Sequence, residues 1–191
     1  MTKIILACSS LLLSTLAIAT PTIQEETLYY KISGNTADQL REQMNTLGPI
    51  DHTTHADAQT TWHITWKFYW QHDTASQNLC HLTGVSVNAS IAKLYPKWIN
   101  ENSAAPALQN KWNTYLTNLA THESGHAENG KRTAIEIEKA LLDAPLQSNC
   151  RLLENTLNAA AYAVIAQHNK WDIQYDADTQ HGRTQGAVFP R

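Results

Sequence analysis

Leu108-Gln109-Asn110-Lys111-Trp112-Asn113-Thr114-Tyr115-Leu116-Thr117-Asn118-Leu119-Ala120-Thr121-His122-Glu123-Ser124-Gly125-His126 is the stretch on which the fold turns. Leu108, Trp112, Tyr115 and Leu119 recur at spacings of four, three and four, the period of one buried helix face. Continuing that count by three and four lands on His122 and His126, so two histidines occupy the apolar stripe of a long helix. Upstream, Ser103 offers a cap and Pro106 suits the first turn. Downstream, residues 134–139 read as a solvated continuation reaching Asp143.

Working outward, the N-terminal side is strand-like. Residues 60–70 alternate, with Trp62, Ile64, Trp66, Phe68 and Trp70 on one face and Thr61, His63, Thr65, Lys67 and Tyr69 on the other. That row reads as a core face rather than a substrate groove. Residues 82–91 alternate again through Val85, Val87, Ala89 and Ile91, and the two runs are expected to pair antiparallel across the turn at His72-Asp73-Thr74. Residues 27–32 have strand composition. Thr36 with Gln39 fits a capping box for a short helix at 37–45, closed by Gly48-Pro49. Pro96 is read as the change to helix. A third helix is expected over residues 149–171, with an irregular, Gly-bearing tail after Tyr175. Strands first and helices after predict an α+β fold: a small antiparallel sheet packed with long helices.

The chemistry is carried by His122-Glu123-Ser124-Gly125-His126. Histidines four apart on a helix project from one face and reach a single zinc ion, while Glu123 stands beside them as a general base. Zinc brings the pKa of a bound water toward about 7, Glu123 takes its proton, and the hydroxide attacks a polarised carbonyl. A chain of this composition matches the pattern by chance only about 0.02 times. Gly125 inside a helix costs about 1 kcal/mol against Ala, which points to close approach of another segment.

Two histidines leave a third ligand to be found. Asn129 and Arg132 stand where a metzincin has Gly and His, and Glu136 or Glu138 would require the helix to turn back. The C-terminal tail therefore supplies the third ligand. His181, beside the flexible Gly182, is the favoured group. Asp176 is its nearest rival, as ligand or as the acceptor orienting a ligating His, and Asp178 a weaker one. Tyr175 is a candidate catalytic donor to a developing oxyanion, or a packing residue. His52 and His55 lie in a polar loop read as solvated, and Tyr162 and His168 as structural.

The chain ends and composition bear on compartment and partners. Lys3, an apolar run over residues 4–18, and Ala17-Ile18-Ala19 read as a secretory signal peptide over residues 1–19. Residues 20–191 then form a single domain. The apolar run is too short for stable membrane insertion. A formal charge of −3 with no basic block argues against a nucleic-acid partner. Once Cys8 leaves with the signal, Cys80 and Cys150 most simply form one disulfide in an oxidising, periplasmic or extracellular compartment.

Across nearly all of the mature chain the sequence resembles a bacterial family of predicted secreted zinc-dependent proteases, known mainly as a domain of unknown function. The matching features are Tyr30 with Ser33-Gly34, Trp62 and Trp66, Cys80, Pro96-Lys97-Trp98, the His122 to His126 motif, Cys150, and Tyr175-Asp176 through His181-Gly182 to Phe189-Pro190. The resemblance implies a secreted metallopeptidase fold. The expected function is thus zinc-dependent hydrolysis of a peptide or protein substrate. A cell-wall peptide amidase and a non-catalytic zinc-binding structural or binding protein remain as alternatives.

Overall fold

A computed structural model describes residues 20–51, 54–73 and 79–189. Residues 1–19, read above as a signal peptide, together with His52 and Pro190, lie outside the described residues. Five strands and three helices follow in chain order: β1 (Thr22–Ile32), α1 (Ala37–Leu47), β2 (Ile50–Asp51), β3 (Thr54–His55), β4 (Gln59–Asp73), β5 (Leu79–Trp98), α2 (Pro106–Leu142) and α3 (Cys150–Thr179). Short 3₁₀ turns at Glu101–Ser103 and Arg183–Gln185 flank the two long helices.

The architecture is α+β, built on a three-stranded sheet of order β1-β5-β4. The expected pair is present: β4 runs antiparallel to β5 with Trp62 opposite Ile91 and Trp66 opposite Val87. The sheet as a whole is mixed, because β1 joins β5 in parallel, Thr22 beside Asn88 and Ile32 beside Trp98. Composition marks a strand but carries no information on its direction, which here follows from β4 starting at the end of the sheet where β1 finishes, so that β4 runs opposite to β1 and β5, antiparallel to β4, lies parallel to β1.

Two boundaries move. β1 begins five residues ahead of the apolar run, its first eight residues exposed on both faces, so no alternation marks them. β5 continues through Pro96 to Trp98 instead of giving way to helix. Pairing with β4 ends at Gln59 and Leu94, so Pro96 stands where β5 has only β1 beside it. A missing N–H is tolerated in such an edge-like position.

α2 is a 37-residue spine laid across the sheet. Its first half buries Trp112, Tyr115 and Leu119 in a cluster with Ile32, Leu40, Met44, Trp98 and Phe189. Its last third buries Ala134, Ile137 and Leu141 in a second cluster with Ile64, Val87, Ala89, Leu153 and Leu157. That C-terminal stretch is therefore half core, not a solvated extension. The motif lies between the two clusters, held from both sides. Pro106 occupies the first turn as expected, but Ala105 is the cap; the Ser103 hydroxyl donates instead to the Asn100 carbonyl.

Cys80 and Cys150 are bonded, with Cα atoms 5.0 Å apart, tying the start of β5 to the start of α3. Asn149 caps α3 by accepting from the Leu152 N–H. Trp62 and Trp66 of β4 donate through their indole N–H groups to Asp172 and Asn158 of α3, each at 2.9 Å, so these two face the helices as a core face should, whereas Trp70 is exposed. Among the described residues no helix is long and apolar enough to cross a membrane.

Candidate metal centre

His122 and His126 are both buried, at 3% and 9% exposure, one turn apart on the α2 face that the periodicity marks. Their Nε2 atoms point at one oxygen: Asp176 Oδ1 lies 3.1 Å from each. These three ligand atoms lie within 4.8 Å of one another. Asp176 comes from α3, which does not end near Trp171 but runs on to Thr179. The first glycine after it is Gly182, so no helix-stop signal exists between Trp171 and Thr179. Asp172 and Asp176, four apart, therefore share a helix face turned toward α2.

His181, the favoured third ligand, sits elsewhere. Gln180, His181 and Gly182 take φ of 51°, 53° and 80°, a left-handed turn that closes α3. Its side chain is 71% exposed, and its Nδ1 is 3.5 Å from Asp176 Oδ1. The carboxylate thus stands between this imidazole and the histidine pair. Asp178 is exposed and accepts from Gln174 on the outer face of α3.

Each ring nitrogen facing away from Asp176 has its own acceptor. His126 Nδ1 donates to Asp172 Oδ1 at 2.8 Å, and Asp172 Oδ2 accepts from Trp62. His122 Nδ1 donates to Gln185 Oε1 at 3.0 Å. With Nδ1 donating to a protein acceptor, each imidazole is oriented so that Nε2, once its proton is displaced from Asp176, is the nitrogen left to ligate a metal, the arrangement that orients metal-ligating histidines. Two imidazole nitrogens and a carboxylate oxygen form a donor set that suits zinc. The residues fit such an ion.

Electrostatics follow from crowding. Burial works against a charged His126, but its hydrogen bonds to Asp172 and Asp176 outweigh that and lift its pKa to about 10. Burial also opposes charge on Asp176, yet the bonds from His122 and His126 hold its carboxyl far below the usual range. Glu123, 5% exposed, moves the other way: burial raises it above an ordinary carboxyl, partly countered by the Thr60 hydroxyl and the two histidines. Thr60 Oγ1 lies 2.7 Å from Glu123 Oε2 and 3.2 Å from the Glu123 carbonyl, fixing the side chain against β4.

Tyr175 is committed to packing. Its hydroxyl donates to the His122 carbonyl at 3.2 Å and accepts from Gln185 Nε2 at 3.0 Å. Its ring stacks on His122, centroids 5.0 Å apart and planes 7° apart. A Cβ at position 125 would overlap that ring, which is the close approach the glycine indicates. Position 182 likewise abuts the His122 side chain, where a Cβ would stand 3.0 Å away.

The set opens onto a cleft of about 930 Å³. Its lining includes Thr60, Glu123 and Asp176 together with Arg41, Asp57 and His55 on the far wall. His55 contributes to that wall, with its Nδ1 on the Gly48 carbonyl. His168 is structural, its ring between Asn129 and Glu136. Tyr162 is exposed and meets Trp66 edge to face. Asp172, Gln185 and Thr60 escape sequence reading. Only Asp172 leaves a signal, its spacing of four from Asp176 on a helix that runs past Trp171 to Thr179.

The molecule is thus an α+β protein whose two long helices bring two histidines and an aspartate together beside a buried glutamate, at the edge of a cleft. Residues 27–182 match the family described as bacterial protein of unknown function (DUF922), and the chain belongs to that family. No curated protein and no solved structure matches it.

Proposed function

We propose that the chain is an exported zinc-dependent hydrolase, a metallopeptidase acting on peptide bonds. One observation carries the reading: His122 Nε2 and His126 Nε2 converge on Asp176 Oδ1 at 3.1 Å, with the Glu123 carboxylate beside them in an open cleft. His122, His126 and Asp176 would hold the zinc, which supplies Lewis acidity and a water of lowered pKa. Asp172 and Gln185 keep the imidazoles aimed. Thr60 holds Glu123 Oε2, leaving Oε1 to take a proton from the attacking water and return it to the leaving amine. Burial raises the Glu123 pKa, which makes it a stronger base for that transfer than an exposed carboxylate.

Export is supported by the leader-like residues 1–19 and by the Cys80–Cys150 bond, a feature of oxidising compartments. The cleft beside the donor set favours an enzyme over a zinc-holding structural protein, whose ion is normally enclosed by four protein ligands.

The test is a peptide-library cleavage assay on zinc-loaded mature protein and its Glu123→Gln variant. Cleavage by the first, and none by the second with zinc still bound, is the expected result. Equal turnover in the two refutes the general-base role. Absence of zinc uptake by the native chain refutes the metal reading. Cleavage of cell-wall peptides alone assigns the amidase alternative.

A further inference from the structure

His122 is held at its Nδ1 by Gln185, but a hydrogen bond leaves the ring free to rock about that axis. Its face is covered by a column of flat groups. Tyr175 stacks on His122 at 5.0 Å and 7°, and Trp171 stacks on Tyr175 at 4.8 Å and 12°. The guanidinium of Arg132 caps Trp171 at 4.9 Å from the ring centre. The column's two ends belong to α2 and its middle to α3. His122 and Arg132 are ten residues apart, about 15 Å of helix at 1.5 Å per residue, which leaves room for three successive gaps of about 5 Å. Trp171 and Tyr175 are four apart on α3, so their rings lie one above the other.

The column displaces ordinary helix packing to exist. Gly125 is required under the Tyr175 ring, at a position where Ala would favour the helix by about 1 kcal/mol. Gly182 clears space beside the Cβ and Cγ of the same histidine. Offset-parallel aromatic pairs and a cation over an indole face are both attractive geometries. The outermost member, Arg132, is exposed and reaches the site only through the rings beneath it.

Resting on the metal reading above, we propose that Trp171, clamped by Arg132, is a positioning residue that acts through Tyr175 to fix the plane of the His122 imidazole for metal binding. Trp171 itself is not among the residues that line the cleft. Its flat face keeps the Tyr175 ring parallel to the imidazole, and Tyr175 in turn keeps Nε2 aimed at the point shared with His126 and Asp176. Loss of groups that orient metal ligands typically costs about tenfold to a hundredfold in affinity.

The test uses the mature protein with Co²⁺ as probe, comparing native chain, Trp171→Phe and Trp171→Leu. Leucine keeps apolar bulk and helix preference but has no flat face; phenylalanine restores the face. Co²⁺ affinity is expected to fall about tenfold in Trp171→Leu, with broadened and shifted visible bands, and to stay within about threefold of native in Trp171→Phe. Arg132→Ala, an exposed change that leaves the fold intact, is expected to weaken Co²⁺ two- to threefold. Matching affinity and bands in Trp171→Leu and native protein overturn the proposal, as does a Trp171→Phe variant no better than Trp171→Leu. A purely structural role would lower the unfolding temperature of both while leaving the bands unchanged. Failure of the native chain to take up Co²⁺ overturns the metal reading itself, and this inference with it.

Discussion

Replacing Asp176 by Asn, and separately His181 by Ala, decides which residue completes the donor set. Asp176 Oδ1 is 3.1 Å from both histidine Nε2 atoms, whereas His181 is 71% exposed and 3.5 Å behind the carboxylate. Zinc bound by a full protein site is worth about 10–16 kcal/mol, so one of three or four ligands carries roughly 3–4 kcal/mol. Asp176→Asn keeps the shape but removes the charge, and zinc affinity should drop about a hundredfold, at 1.4 kcal/mol per decade. His181→Ala removes an exposed imidazole that meets the pair only through Asp176 Oδ1, and should change affinity less than about threefold. Competition against a chromophoric chelator on metal-free protein measures both. A larger loss in His181→Ala than in Asp176→Asn would refute the reasoning, because it would require the 180–182 turn to swing inward on binding.

Gly125→Ala should destabilise the fold despite the better helix propensity of Ala. The new Cβ overlaps the Tyr175 ring, an overpacking cost of about 1–3 kcal/mol against a propensity gain near 1; a raised urea midpoint would contradict it. Cys150→Ser opens a 70-residue separation and should lower stability by up to about 4 kcal/mol, and a non-reduced digest of native protein should show the Cys80–Cys150 peptide; two alkylatable thiols in protein from an oxidising compartment would refute the link. Burial, then the Asp57 carboxylate that accepts its hydroxyl, pushes the Tyr115 pKa well above the ordinary value. The neutral form is thus favoured by folding, so the contribution is intact below about pH 10 and falls by up to about 1.4 kcal/mol per pH unit above it. Urea midpoints between about pH 9 and 11.5 should show that fall together with those of Tyr30 and Tyr95, whose pKa values burial also raises, and Tyr115→Phe should make it shallower; equal steepness in native and Tyr115→Phe protein would be the contrary result.

Residues with a strong local period were legible. The stripe from Trp112 to His126, the alternating faces of β4 and β5, the Thr36 cap and the cysteine pair all follow from rules acting within about four residues or from a count of two. The C-terminal region was less so. Tyr175, Asp176 and Asp178 look like loop residues by propensity, yet packing of α3 along α2 keeps them helical to Thr179. A helix end read near Trp171 favours His181 over Asp176 as the candidate third donor and leaves Asp172 out of view; the observed end at Thr179 brings both aspartates to the histidine pair.

The chemical alphabet of the site is local. His122, Glu123 and His126 are set by helix spacing alone, and no tertiary contact is needed to know that they share a face. Partnership among distant elements is different, because pairing free energies depend on which surfaces meet rather than on any one segment's pattern. The parallel placement of β1, the α3 face that offers Asp172 and Asp176, the Thr60 hydroxyl on Glu123 and the ring column behind His122 join residues far apart in the chain, 46 positions for His126 and Asp172 and 63 for Thr60 and Glu123, apart from the column's i,i+4 step within α3. They exist because α2 lies across the sheet with α3 strapped to it by Cys150, and only the folded chain brings those faces within reach.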